Sequence, residues 1–254
     1  MTTQRKAAIH SLLKGIETGD QQSVAVVDPD KYIQHNPQTH EGREGLASLF
    51  KRLAQTSPRV KIVRLFSDGD FVFGHTEYDF NTLRVGFEVF RFEGDLTVEH
   101  WDNIQPSRGP NASGRSMVDG TVEVSDWVST ETNRRLIIEF IDSALIARQY
   151  QQLPRFISPS YIEHNPRLTD GLEALTHALQ ALDENGDLSI CYETRHRVLA
   201  EGNFVLSVCE GYLGGAHTSF YDLFRISGGI IVEHWDTTET VPPLSQWHND
   251  NGKF

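Results

Sequence analysis

The chain carries two histidine-bearing segments twice, in the same order. Tyr-Ile-Gln-His-Asn-Pro at 32–37 returns as Tyr-Ile-Glu-His-Asn-Pro at 161–166, and Val-Glu-His-Trp-Asp at 98–102 returns unchanged at 232–236. Each copy has the size of an ordinary domain, whereas the repeats of a solenoid are ~20–50 residues long. The sequence therefore predicts two tandem domains built on one plan.

A segment rich in Gly, Ser, Pro and Asn separates the two copies. It covers 105–120 and has the composition of a loop or linker. We place the first domain at 1–110, a linker at 111–128 and the second domain at 129–254.

Each copy shows the same order of predicted elements. Apolar residues at helical spacing predict a first helix over 3–18 and again over 131–149, and a second helix follows each Tyr-Ile-x-His-Asn-Pro segment. Alternating patterns between glycine-bearing turns predict four strands in each half. They are 59–67, 71–80, 83–92 and 96–104, then 188–200, 203–213, 216–226 and 230–238. Helices followed by an antiparallel meander indicate an α+β fold with the helices on one face of the sheet.

The charge of the chain limits its partners. The formal net charge is −12, and no cluster of lysine and arginine is present. Nucleic acids and anionic membranes need a concentrated basic face, so neither is an expected partner. No stretch approaches the ~20 apolar residues that cross a bilayer, and the N-terminus lacks the apolar core of a signal peptide. We therefore expect a cytoplasmic protein that binds a small molecule.

The last predicted strand of each half brings a histidine and an aspartate together. His100 and Asp102 are two residues apart, as are His234 and Asp236. Residues at this spacing lie on the same face of a strand, because successive side chains alternate. The tryptophan between them faces the other side.

Hairpin pairing predicts further members of this face. It places Glu88 opposite His100, and Asp222 opposite His234, with Phe90 at the apolar end of the same face. A slip of one residue would exchange the two faces, so these assignments depend on the register.

The preceding hairpin makes the two halves different. It predicts His75 opposite Glu88 with Glu77 nearby, whereas the matching positions of the second half hold Val208 and Glu210. The two sites have therefore diverged, and they need not share a ligand.

The order of these motifs resembles the SnoaL-like branch of the nuclear transport factor 2-like superfamily. The resemblance covers nearly the whole chain twice and ends each sheet in Gly-x-(Ile/Leu)-x-Val-Glu-His-Trp-Asp. It implies a cone in each half, with a curved sheet around helices and a pocket inside. It also implies pairing through the tryptophan faces, as a pseudo-dimer within the chain, and the chain could itself form a homodimer.

The resemblance implies a site but no single activity. The superfamily includes polyketide cyclases, ketosteroid isomerases, epoxide hydrolases, dehydratases and non-catalytic binding proteins, and a fold does not choose among them. In its enzymes a pocket-facing aspartate on the last strand often performs acid–base chemistry. Asp102 and Asp236 are the residues here that match it.

Imidazole beside carboxylate suits proton transfer at neutral pH, because free imidazole has a pKa of about 6.5. We therefore predict that His100 with Asp102, and His234 with Asp236, act as base and orienting acid. The alternative is a structural polar pair held by the carboxylate of the preceding strand.

The Tyr-Ile-x-His-Asn-Pro motif supplies a second pair of imidazoles. His35 and His164 would polarise a carbonyl or hydroxyl group in the pocket, or else they only fix the Asn-Pro turn. Tyr32 and Tyr161 are assigned to ligand contacts, although a core aromatic with a satisfied hydroxyl is the commoner role.

The remaining candidate site residues are two aromatics, two glutamates and a possible metal-ligand set. Phe73 and Phe90 are expected to line the apolar wall of the pocket, and Glu77 and Glu210 to contact the ligand. A metal site of three histidines, at positions 35, 75 and 100, is a weaker alternative, because the ligands lie in three segments with no spacing signature.

Two functions remain open at this level. One is a cofactor-free enzyme of the lyase, isomerase or cyclase type acting on a small oxygenated apolar molecule. The other is a non-catalytic binding protein for a small ligand. The sequence has no phosphate-binding loop, dinucleotide fingerprint, serine nucleophile elbow or paired-cysteine zinc pattern, so no cofactor is predicted.

Overall fold

The computed structural model describes residues 2–254, apart from the side chain of residue 21. The chain divides into two compact units. The first unit ends at residue 107 and also contains 242–254, and the second unit is 108–241. The predicted division differs at both joints, because the predicted linker belongs to the second unit and the end of the predicted second domain belongs to the first. These segments lack an apolar period, and polar contacts described below anchor them.

The first unit is a five-stranded sheet with helices on one face. Its strands lie in the order β1-β5-β4-β3-β2, with β1 parallel to β5 and all other pairs antiparallel. The elements are α1 (Thr2–Thr18), a 3-10 turn (Gln21–Val26), β1 (Ile33–Gln34), α2 (Gly42–Ala54), β2 (Arg59–Asp68), β3 (Phe71–Asp79), β4 (Leu83–Glu93) and β5 (Leu96–Pro106).

The second unit repeats this plan. Its strands lie in the order β6-β10-β9-β8-β7, with β6 parallel to β10. The elements are α3 (Thr130–Glu139), a π-helix (Phe140–Ile146), α4 (Leu153–Phe156), β6 (Ile157–Glu163), α5 (Leu172–Gln180), β7 (Ile190–Glu201), β8 (Phe204–Leu213), β9 (Ala216–Ser227) and β10 (Ile230–Thr240). The predicted α+β fold, helices on a curved sheet in each half, is confirmed. Among the described residues no helix is both long and apolar enough to cross a membrane.

The opening helices bury one apolar side against the sheet. In α1, Ile9, Leu12 and Ile16 keep helical spacing and pack with residues of α2 and the sheet. The second opening helix was predicted as continuous over 131–149, but α3 ends at Glu139 and a π-helix follows. Four of the seven residues of the π-helix are buried in the core of the second unit. They are Phe140, Ile141, Ala144 and Leu145.

A β-bulge in the last strand changes the predicted register in the first unit. Glu88 pairs with Asp102 and Phe90 with His100, two residues away from the predicted pairing. One residue of the shift comes from a tighter turn and the other from the bulge at Val98. Because the total shift is even, these side chains remain on the predicted face.

The second unit has the same bulge. Asp222 pairs with Asp236 and Phe224 with His234, and the register shifts between Ile231 and Glu233. The predicted face is again correct, although the predicted partner is displaced by two residues.

An odd shift in the β3–β4 hairpin has the opposite effect. His75 pairs with Phe87, and Glu77 with Val85, across a three-residue turn in which Asn81 adopts a φ of 68°. The predicted position of His75 and Glu77 beside Glu88 is therefore wrong, because one residue of slippage exchanges the faces.

A substitution at Gly211 tests how closely the backbones of β7 and β8 approach each other. A Cβ atom at this position would lie 1.9 Å from the carbonyl oxygen of Cys191, so Gly211→Ala should lower the free energy of unfolding by about 2–3 kcal/mol. Urea titration measures the change. Gly109→Ala is the control, because a Cβ there meets nothing within 4 Å, and equal losses in both variants would contradict the pairing.

Candidate active site

The Tyr-Ile-x-His-Asn-Pro segment is extended and runs parallel to the last strand. In the first unit Gln34 pairs with His100, and its amide nitrogen lies 3.2 Å from the hydroxyl of Tyr32. The next residue points the other way, since side chains alternate along a strand. His35 stacks on Trp101 with ring centroids 4.6 Å apart.

The prediction that His35 lies in the pocket with His100 is therefore wrong, because the two rings lie on opposite faces of the sheet. Its Nε2 lies 3.0 Å from Glu99 Oε1, and its Nδ1 donates to the carbonyl oxygen of Gly252 at 2.9 Å. The alternation between Tyr32 and His35 was a signal in the sequence for this outcome.

His164 of the second unit repeats this arrangement, and its predicted place beside His234 is also wrong. Its ring stacks on Trp235 at 4.7 Å, and its Nε2 lies 3.0 Å from Glu233 Oε1. Arg225 donates to the other oxygen of Glu233 at 2.6 Å. Burial works to raise the pKa of Glu233, but the bonds from His164 and Arg225 outweigh it and the pKa is lowered.

The helix-side face of the first unit holds a buried polar group that we call the first cluster. Its members are Tyr32, Gln34, Glu88, His100 and Asp102. His100 is held on both ring nitrogens, with Nδ1 3.1 Å from Gln34 Oε1 and Nε2 2.7 Å from Glu88 Oε2. Its ring stacks on Phe90 at 4.3 Å, which confirms that Phe90 lies beside the histidine. Burial raises the pKa of Glu88 against the opposing effect of His100.

Asp102 is held by the motif and by a lysine. Its Oδ2 accepts a hydrogen bond from Asn36 Nδ2 at 2.8 Å. The buried ammonium group of Lys253 donates to the backbone oxygen of Asp102 at 2.8 Å and lies 3.5 Å from its Oδ1. The first cluster therefore has the amino group of a buried lysine next to its aspartate.

The matching face of the second unit holds the second cluster. Its members are Tyr161, Glu163, Asp222, His234 and Asp236. His234 is also held on both nitrogens, with Nδ1 3.0 Å from Glu163 Oε1 and Nε2 3.1 Å from Asp222 Oδ1. Burial alone would lower the pKa of His234, but the two carboxylates raise it well above its ordinary value. The two carboxylates therefore favour the imidazolium form of the ring.

Asp236 is the reactive candidate of the second cluster. Its Oδ2 accepts a hydrogen bond from Asn165 Nδ2 at 2.6 Å, and its buried Oδ1 has no hydrogen-bond partner among the described residues. Burial raises the pKa of Asp236 to about 7, with Glu163 and Asp222 adding to the rise and His234 opposing it. The side chain of Asp236 thus changes charge near neutral pH, and one of its oxygens is not committed to a hydrogen bond.

The two clusters differ in charge at two positions. Gln34 of the first cluster is replaced by Glu163 in the second. Lys253 contacts Asp102. The matching basic residue of the second unit is Arg115, since 111–115 and 249–253 share the pattern Asn-x-x-Gly-(Arg/Lys), and it binds Asp170 at 3.0 Å. The second cluster therefore surrounds one imidazole with three carboxyl groups, and Glu163 and Asp222 add to the effect of burial in raising the pKa of Asp236.

Among the residues that the structure describes, the group that could supply donors to a metal ion lies in the first cluster. One donor atom each from Glu88, His100 and Asp102 lies within 4.8 Å of the other two. Glu88 and His100 are hydrogen-bonded to each other, and Asp102 Oδ2 to Asn36. Asp102 Oδ1, which has no hydrogen bond in the described part of the chain, lies 3.5 Å from the Lys253 amino group. The residues therefore fit an internal hydrogen-bond network better than a divalent cation.

Several predicted residues lie on the opposite face of the first sheet. Phe73 pairs with Val89 and packs on Phe66, so its predicted place beside Phe90 is wrong. The Nδ1 of His75 lies 3.0 Å from an Arg64 nitrogen. The alternative metal set of three histidines therefore fails, because only His100 is on the helix side.

Glu210 of the second unit also lies away from the second cluster. Its carboxylate contacts His196 at 2.8 Å and His217 at 2.7 Å. Burial works to raise the pKa of Glu210, but these two contacts together outweigh it and the pKa is lowered. Tyr161, by contrast, donates to Glu163 Oε2 at 2.7 Å and belongs to the second cluster, as expected for the alternative role of a core aromatic with a satisfied hydroxyl.

Sequence reasoning missed the residues that hold the clusters together. They are Gln34 and Glu163 at the variable position of the motif, Asn36 and Asn165 two residues later, and the tyrosines Tyr78 and Tyr192, which donate to Glu88 and Asp222. The alternation Tyr-x-Gln/Glu-x-Asn was the available signal, since it places these side chains on one face.

Comparisons with known proteins concern the fold. No protein-family model and no curated protein matches the chain. A putative ketosteroid isomerase from Kribbella flavida is 17% identical, covering 45% of this chain and 84% of its own, with a TM-score of 0.39. An epoxide hydrolase of the LEH-like type from M. tuberculosis is 20% identical over 41% and 84%, with a TM-score of 0.36. An NTF-2 like protein of unknown function from Burkholderia xenovorans is 17% identical over 43% and 89%, with a TM-score of 0.38.

The raised pKa of Asp236 predicts a pH-dependent stability. Between the ordinary value of 3.8 and about 7, the folded protein retains a proton that the unfolded chain has lost. The free energy of unfolding should therefore fall as pH rises through this range, by up to about 1.4 kcal/mol per pH unit from this group. Asp236→Asn should abolish that contribution.

Urea unfolding of both proteins between pH 4.5 and 8 measures the difference. The wild-type protein should lose stability relative to Asp236→Asn as the pH rises. Asp187→Asn, on an exposed turn, is the matched control. A constant difference between wild type and Asp236→Asn across the range would contradict the assignment.

Proposed function

We propose that this tandem SnoaL-like protein is a cofactor-free enzyme of the isomerase, lyase or cyclase type, and that its second unit moves protons on a small oxygenated apolar molecule. One observation carries the proposal. Asp236 is a buried carboxyl group with a pKa of about 7 and an oxygen without a hydrogen-bond partner, beside an imidazolium.

Asp236 serves as the acid–base group. A general base works best when its pKa lies near the working pH, because both protonation states are then populated. Asn165 fixes one carboxyl oxygen at 2.6 Å, so Oδ1 is the atom that takes the proton and returns it. Asp236 also keeps 9% of its surface exposed, the largest fraction within the second cluster.

His234 supplies fixed positive charge. Both of its ring nitrogens are bound to carboxylates, so neither can accept a proton from a ligand. This reverses the roles that the sequence suggested for the histidine and the aspartate. When Asp236 removes a proton from carbon, negative charge develops on the ligand, and a preorganised cation nearby stabilises it.

The surroundings of the second cluster favour an apolar ligand with a polar end. Phe224 stacks on His234 at 4.9 Å, and Tyr192 packs on Phe220 at 4.5 Å. Aromatic walls with a few convergent polar groups are typical of small-molecule sites. A proton removed from a carbon next to a carbonyl and returned elsewhere accounts for isomerisation, elimination or ring closure without a redox partner.

Binding without turnover is the second candidate function, and one observation favours it for the first unit. There the amino group of Lys253 lies 3.5 Å from Asp102 Oδ1, whereas Arg115 of the second unit contacts Asp170 instead of Asp236. A basic side chain held against the carboxyl group leaves it less free to exchange a proton with a ligand. The first unit would then anchor a ligand and leave the chemistry to the second.

Asp236→Asn should abolish proton transfer with little effect on ligand binding. A direct assay follows deuterium uptake from D2O by a panel of small cyclic ketones and 1,3-diketones, using mass spectrometry. The exchange rate should fall by about 10²–10⁴-fold, the usual contribution of a positioned general base. Asp187→Asn, on the exposed turn, should exchange the probes at the wild-type rate.

Two outcomes would overturn the proposal. If the wild-type protein binds a probe but exchanges no deuterium, the chain is a binding protein. If Asp102→Asn removes the exchange and Asp236→Asn does not, the assignment to the second unit is wrong.

A further inference from the structure

A third repeated segment follows each sheet. Residues 111–116 read Asn-Ala-Ser-Gly-Arg-Ser, and residues 249–254 read Asn-Asp-Asn-Gly-Lys-Phe. The shared pattern is Asn-x-x-Gly-(Arg/Lys). Gly114 and Gly252 have φ values of +80° and +83°, the left-handed region that favours glycine. We call these two segments the docking segments.

In the second unit the docking segment binds the Tyr-Ile-x-His-Asn-Pro segment. The side-chain oxygen of Asn111 accepts a hydrogen bond from the amide of Arg115 at 3.0 Å and closes a turn. Its Nδ2 donates to the carbonyl oxygen of Glu163 at 2.7 Å. The carbonyl oxygen of Ser116 then accepts a hydrogen bond from His164 Nδ1 at 2.7 Å.

In the first unit the same chemistry recurs with other residues. The side-chain oxygen of Asn249 accepts a hydrogen bond from the amide of Asn251 at 3.1 Å, and its Nδ2 donates to the carbonyl oxygen of Asn36 at 2.8 Å. The carbonyl oxygen of Gly252 accepts a hydrogen bond from His35 Nδ1 at 2.9 Å. Both asparagines are buried, and each donated bond satisfies a backbone oxygen of the Tyr-Ile-x-His-Asn-Pro segment.

The chain order shows that these segments are exchanged. Residues 111–116 follow β5, the last strand of the first unit, but belong to the second unit. Residues 249–254 follow β10, the last strand of the second unit, but belong to the first. Each unit is therefore completed by residues that follow the sheet of the other.

We propose that the docking segment is a separable peptide ligand, recognised by the backbone and the histidine of a Tyr-Ile-x-His-Asn-Pro segment, and that this chain holds its two units in a reciprocal exchange. The partner class is any chain that presents Asn-x-x-Gly-(Arg/Lys) in this turn. A chain with a single such unit would make the same exchange with a second copy of itself, as a two-fold dimer.

This exchange explains the roles of the two motif histidines. His35 and His164 lie away from the clusters, and each donates one hydrogen bond to a docking segment while its ring covers a tryptophan. Each docking segment belongs to the same chain as its binding segment, so its effective concentration is high. Weak individual contacts are therefore enough to keep it bound.

Hydrogen–deuterium exchange of the full-length protein tests the proposal. Asn249→Ala should accelerate exchange at least tenfold in residues 33–40 and leave residues 162–168 unchanged. Asn111→Ala should do the reverse. Asn185→Ala, on an exposed turn, is the matched control and should change neither region.

A synthetic peptide of residues 244–254 then tests separability. Added to full-length Asn249→Ala at millimolar concentration, it should restore the slow exchange of residues 33–40, whereas a peptide with alanine at position 249 should not. If Asn249→Ala fails to fold, Gly252→Ala perturbs the same turn more mildly and gives the same readout.

The proposal is overturned by any of three results. They are unchanged exchange at 33–40 in both tail variants, equal acceleration at 162–168 in those variants, and failure of the wild-type peptide to restore protection. The first two would show that the tail does not complete the first unit selectively. The third would show that the docking segment has no affinity of its own.

Discussion

The parallel pairing of a short motif strand with the last strand of each sheet organises both clusters. It brings Gln34 beside His100, and Glu163 beside His234, at a face already lined by the carboxylate of the neighbouring strand. Each imidazole then binds on both nitrogens and becomes an immobile part of the core. Most buried polar groups are paired in this way. The histidines therefore hold each cluster in place, and the aspartate is the member whose surroundings differ between the two units.

The two units use the same backbone geometry for different electrostatics. Where the first unit has the amide of Gln34, the second has the carboxylate of Glu163, which adds negative charge beside the imidazole of His234. The basic residue of the docking segment contacts the cluster aspartate in the first unit, whereas in the second unit it contacts Asp170. A low-dielectric interior amplifies such differences. In one unit the pKa of the aspartate is thereby raised to about 7, and in the other a lysine amino group lies 3.5 Å from the aspartate.

Local patterns predicted most of the fold, and non-local details decided the site. Glycine turns and alternation located all eight strands of the two meanders to within a few residues, and the spacing of His100 and Asp102 fixed their common face. The bulge near Val98 could not be seen, because it depends on pairing across strands. One residue of slippage misplaced His75, and the docking segments have no apolar period to reveal them. The motif itself held an unused signal, since its alternation separates His35 from its neighbours.

The protonation of Asp236 is the central claim, and a carboxyl titration tests it most directly. Carbon-13 NMR of the full-length protein, with the Asp236 resonance assigned by its absence in Asp236→Asn, follows this group from pH 3 to 9. The account predicts a midpoint near 7. A midpoint near the ordinary 3.8 would contradict it, since the second cluster would then hold only ionised carboxylates around its imidazolium.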